Sequence, residues 1–94
     1  MKHHIIVKFT EEAKGDPALL GQIKALYAGA ADIPGVHGVE FKENCIEREN
    51  RYDLMIVIDM DEEALPSWDA SAVHHRWKDE FGHSIAKKAI FDCR

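Results

Sequence analysis

The stretch Tyr52-Asp53-Leu54-Met55-Ile56-Val57-Ile58-Asp59-Met60 decides how this chain is read. It is short, apolar and lies between the charged run Glu47-Arg48-Glu49-Asn50-Arg51 and the segment Asp61 to Pro66, so it reads as a strand. Alternation sends Leu54, Ile56 and Ile58 to one face and Met55 and Val57 to the other. Apolar residues on both faces mark a central strand covered on both sides. Helices of the same chain can cover one side. For a chain of 94 residues, a second subunit is the natural cover for the other.

Further elements follow on either side. His3 to Phe9 reads as a strand with His3, Ile5, Val7 and Phe9 on one face and His4, Ile6 and Lys8 on the other, so the adjacent histidines point apart. Asp16-Pro17 opens a helix, and Leu19, Leu20, Ile23, Leu26, Tyr27 and Ala30 recur along it at helical spacing. That helix ends before Ile33-Pro34-Gly35. Val36 to Glu43 reads as a strand whose Glu40 and Lys42 suit an edge or half-exposed position. Asp61 to Trp68 is predicted as a short or irregular helical piece because of Pro66. Ser71 then caps a longer helix from Ala72 to about Lys87, with Val73, Trp77, Phe81 and Ile85 as its buried stripe and Lys87-Lys88 suiting its C-terminal dipole. Ala89 to Cys93 is the last strand. This order predicts one domain over residues 1–94. Its class is α+β: a ferredoxin-like antiparallel sheet of four strands with helices on one face.

Composition excludes several functions. The net charge is −5, with 12 basic against 17 acidic residues, which disfavours nucleic acid or an anionic membrane as the main partner. No run approaches the roughly 18 apolar residues of a membrane span, and the start of the chain lacks a signal-peptide core. Cys45 and Cys93 are isolated thiols, so a reduced, cytoplasmic protein is expected. Cys45 has no paired base nearby in sequence, so a reactive thiol is not expected.

The six histidines could mean chemistry, metal or nothing. His4, His37, His75 and His83 read as exposed or uncommitted. His3 on its strand and His74 beside the helical stripe have a reason to face an interior. Each is either a hydrogen-bonded core residue or, if both meet one cavity, half of a proton-transfer pair. No spacing supports a metal site or a metal cofactor, and there is no phosphate-binding glycine motif or serine-hydrolase elbow. Tyr27, Trp68, Trp77 and Phe81 suit an apolar pocket, and a plain core equally for Trp77 and Phe81.

Several short stretches together resemble the stress-responsive dimeric A/B-barrel (Dabb) family. They are Lys2 to Phe9, Ile33-Pro34-Gly35-Val36, Tyr52-Asp53-Leu54, Ser71-Ala72-Val73-His74 and Ile90-Phe91-Asp92. The resemblance implies a homodimer in which two sheets pack face to face into an α/β barrel, with a cavity between sheet and helices in each subunit. It is a distant likeness to polyketide cyclases of the olivetolic acid cyclase type, which act without metal or organic cofactor. By that likeness His74 matches the general base and His3 the first-strand histidine. Trp68 stands where those enzymes have tyrosine, and Ser71 where the family has histidine. An indole offers one N–H donor and no acid–base chemistry. The resemblance thus implies a small apolar or aromatic ligand held by Ile5, Val7, Tyr27, Trp68, Trp77 and Ile85. Cofactor-free cyclisation or isomerisation would be the chemistry. The alternative is a non-catalytic stress-response or ligand-binding dimer with structural histidines.

Overall fold

The computed structural model describes Met1–Arg94, all 94 residues. Four strands form one sheet: β1 (Lys2–Phe9), β2 (Val36–Glu43), β3 (Leu54–Met60) and β4 (Ile85–Cys93). Their order is β2-β3-β1-β4 and every neighbouring pair is antiparallel. This is the ferredoxin-like α+β arrangement. β3 is central and β2 is an edge, as the two-sided and one-sided polarity of their sequences require.

Four α-helices accompany the sheet: α1 (Glu11–Lys14), α2 (Leu19–Tyr27), α3 (Leu65–Ala70) and α4 (Ala72–Phe81). The helices cover the face that carries Ile5, Val7, Leu54, Ile56, Ile58 and Met60, all buried in one apolar cluster with Ile23, Tyr27, Trp68 and Trp77. The opposite face carries Lys2, His4, Ile6 and Lys8 of β1 and Met55, Val57 and Asp59 of β3. Glu40 and Lys42 of β2 and Lys87, Ala89, Phe91 and Cys93 of β4 lie in register with them. No helix lies over that second face.

The turn into β2 depends on Gly35, whose φ of 87° is left-handed and whose missing Cβ would lie 2.7 Å from the Ala64 side chain. A larger residue there would strain the turn and collide with the segment leading into α3.

Local chemistry moved several predicted boundaries. Asp16 accepts from the Ala18 N–H at 2.9 Å and shapes a turn, so α2 begins only at Leu19. Thr10 accepts from the Ala13 N–H and caps the extra short helix α1. Pro66 lies in the first turn of α3, where its missing N–H costs nothing. The helix predicted to reach Lys87 stops at Phe81. Gly82 opens a single 3₁₀ turn, Gly82–Ser84, and Ile85 begins β4 opposite Phe9. Ile85 is therefore a strand residue, and Lys87 and Lys88 pair across from Lys8 and Val7 instead of serving a helix dipole. The last strand accordingly starts at Ile85 rather than Ala89, and β3 at Leu54 rather than Tyr52.

Candidate functional site

The site is built around Trp68. α3 carries this indole into the space between β1, α2 and α4, where it is fully buried. Its ring centroid lies 6.4 Å from that of His3, 5.2 Å from that of His74 and 5.7 Å from that of Tyr27. One side chain thus touches both histidines singled out in the sequence. Tyr27 continues the cluster to Trp77, 5.3 Å away edge-on, and to Phe41 at 6.0 Å.

Ser71 sets the geometry of the helical half. It sits between α3 and α4 with an extended backbone, so neither helix continues through it. Its hydroxyl donates to the Trp68 carbonyl at 2.7 Å and accepts from the His74 N–H at 3.1 Å. The His74 ring then donates from Nδ1 to the Asp69 carbonyl at 2.9 Å. A carbonyl only accepts, so the hydrogen of neutral His74 is on Nδ1 and the lone pair is on Nε2. The ring is only partly buried.

His3 is 6% exposed and held differently. Its Nδ1 lies 2.5 Å from Asp92 Oδ1, the residue paired with it across β1 and β4. A carboxylate also only accepts, so Nε2 is again the nitrogen left for another partner. The Asp92 carboxylate is partly exposed and lines a surface hollow of about 440 Å³ with Met1, Glu62, Cys93 and Arg94. Arg94 closes on Glu62 at its rim and holds that carboxyl below its usual range.

Tyr27 is the other polar group inside. Its hydroxyl is buried with no hydrogen-bond partner, and burial pushes its pKa far above the ordinary tyrosine value. It is therefore a neutral donor and acceptor with nothing to bond.

The structure brings His3, Tyr27, Trp68 and His74 together. Ile5, Val7 and Trp77 are buried in the same cluster, while Ile85 packs against it from β4. These side chains fill the space that the resemblance assigns to a cavity. His75 and His83 are exposed, and His37 bonds Asp61 at 2.9 Å on the surface. Cys45 and Cys93 are free thiols. No grouping of His, Cys, Asp and Glu suits a metal ion. No helix is long and apolar enough to cross a membrane. Asp92 and the Asp69 carbonyl are the partners that sequence reasoning missed. The first is joined to His3 only by strand pairing, and the second is a backbone atom with no residue signature.

No protein-family model matches the chain. No curated protein matches it either. Among solved structures it is similar to At3g17210 from Arabidopsis thaliana, with a TM-score of 0.81 and 18% identity, covering 99% of this chain and 92% of that one. A dimeric ferredoxin-like protein of unknown function from Thermobifida fusca matches with a TM-score of 0.78 and 16% identity, over 96% and 85% of the two chains. A hydroxynitrile lyase from Passiflora edulis matches with a TM-score of 0.74 and 12% identity, over 96% and 87%. At these identities the likeness is one of fold.

Proposed function

We propose that this chain is a homodimeric Dabb-type A/B-barrel protein that binds a small apolar or aromatic molecule beside Trp68. His74 is the general base for cofactor-free carbonyl chemistry of the cyclisation or isomerisation kind. The observation that carries this reading is the fixing of two imidazoles around one indole, each tied at Nδ1 and each with Nε2 left for a ligand. In the reaction, Nε2 of His74 takes a proton from the carbon next to a carbonyl, and His3 orients or polarises the oxygen of the enolate that forms. The unpartnered Tyr27 hydroxyl suits the polar edge of the same molecule. Trp68 fills the space between the two rings, so a ligand that meets both Nε2 atoms must displace its indole. A lyase among proteins of this fold supports small-molecule chemistry on the scaffold.

Two further features support the dimer. The uncovered sheet face carries Ile6, Met55, Val57 and Phe91, and solved proteins of this fold are described as dimeric. The barrel forms when two such faces meet. Two free thiols suit a reducing, cytoplasmic setting.

Deuterium exchange at the acidic carbon of benzoylacetone, an aromatic β-diketone, tests the base when followed by NMR. Wild-type protein should exceed His74→Asn by about 100-fold or more. Equal rates would overturn the catalytic role. The second reading, a ligand-binding dimer with structural histidines, is favoured by the complete burial of Trp68 and by the bond of His74 to the Asp69 backbone carbonyl beside a filled core, where the catalytic reading needs both imidazoles to open into one cavity. Under it, His74→Asn lowers stability and leaves exchange unchanged.

A further inference from the structure

The uncovered sheet face holds a titrating group that the proposed chemistry does not use. His4 points from central β1 onto this face, in one cross-strand row with Glu40, Val57 and Phe91. Its ring lies 6.0 Å from the Phe91 ring, edge-on, and its Nδ1 donates to the Phe91 carbonyl at 3.0 Å. Neutral His4 therefore carries its hydrogen on Nδ1, and Nε2 is the atom that gains a proton in acid. Phe91 itself is 61% exposed.

The charges around His4 are unequal. Its own strand contributes Lys2 and Lys8, β2 contributes Lys42 and Glu40, β3 contributes Asp59, and β4 contributes Lys87 and the Cys93 thiol. Asp59 is already taken: it pairs with Lys2 at 3.0 Å, and that hydrogen bond holds its carboxyl below its usual value. Glu40 is then the one acidic group on the face without such a partner, against the remaining lysines. The face thus carries four lysines against two acidic groups, in a chain whose net charge is −5.

We infer that His4 makes dimerisation sensitive to pH, with the neutral imidazole favouring the dimer and its protonation driving the subunits apart. This rests on the homodimer reading above. When two copies of the face meet, each His4 loses water and faces a doubled set of lysines, while Val57, Ile6 and Phe91 supply the apolar contact. A proton on Nε2 then adds a buried cation among more lysines than carboxylates, with Glu40 the one unpaired carboxylate of each face to answer it. The signs follow directly. The monomer binds the proton more readily than the dimer, so lowering the pH through the histidine range pulls the equilibrium toward monomer.

Sedimentation equilibrium between pH 8 and pH 5.5, run on wild type, His4→Leu and His4→Gln, tests this. Wild type should dissociate about tenfold or more readily at the acid end, while both variants stay dimeric with a flat profile. Far-UV circular dichroism at each pH separates dissociation from unfolding. Equal weakening of wild type and variants would overturn the role of His4 and leave the dimer standing. So would a wild-type dimer indifferent to pH. A wild-type monomer at pH 8 and micromolar concentration would overturn the homodimer reading itself.

Discussion

The two faces of the sheet are finished differently. On one, Ile5, Val7, Leu54, Ile56, Ile58 and Met60 meet helices from the same chain, and the aromatic cluster of Tyr27, Trp68 and Trp77 seals the space. On the other, Ile6, Met55 and Val57 form a narrow apolar strip bordered by lysines, with Phe91 standing out of it. The first face has the depth of a core and can hold its shape alone. The second has the composition of a contact surface, apolar in the middle and charged at the rim. Under the homodimer reading, folding is written on one side of β3 and assembly on the other, by alternate residues of the same strand.

Replacements on the two faces should separate these roles. Trp77→Ala should have the largest effect, removing about 3–5 kcal/mol of stability in chemical denaturation, because a fully buried ring leaves a cavity its neighbours cannot close. A loss under about 1 kcal/mol would mean that the covered face is not the core it appears from burial. Val57→Lys should do the reverse. It should leave the circular dichroism spectrum intact while weakening dimerisation on the order of 100-fold by sedimentation, since the longer side chain can carry its charge out to water from this helix-free face in the single subunit and not in the dimer. If Val57→Lys unfolds the subunit instead, the division between faces fails. Tyr27→Phe should have the smallest effect and the opposite sign: a gain of about 1 kcal/mol, from deleting a buried hydroxyl that bonds nothing. A loss would show that the hydroxyl has a partner.

Much of this division was legible in the sequence. Alternation along Leu54 to Met60 and along His3 to Phe9 gave the faces, because strand geometry fixes side-chain direction to a period of two. The end of α4 was not legible. Val73, Trp77, Phe81 and Ile85 keep a spacing of four through Gly82, and Ile85 meets the core whether it is helical or extended. Periodicity reports which residues face inward, not where the backbone changes state. The same limit applies to the site. Facing directions pointed to His3 and His74. Asp92 was hidden because its contact with His3 exists only once β4 has paired with β1. The packing of Trp68 against both imidazoles depends on the break at Ser71, a tertiary outcome of two short helices meeting.

The position of Trp68 has an optical consequence. An indole excited in the near ultraviolet loses its emission to a protonated imidazole far more readily than to a neutral one. Trp68 is packed against His3 and His74, each of which gains its proton on Nε2. Once the overlapping emission of the second indole, Trp77, is accounted for, its glow therefore reports the charge of both rings from inside the site, with no label added.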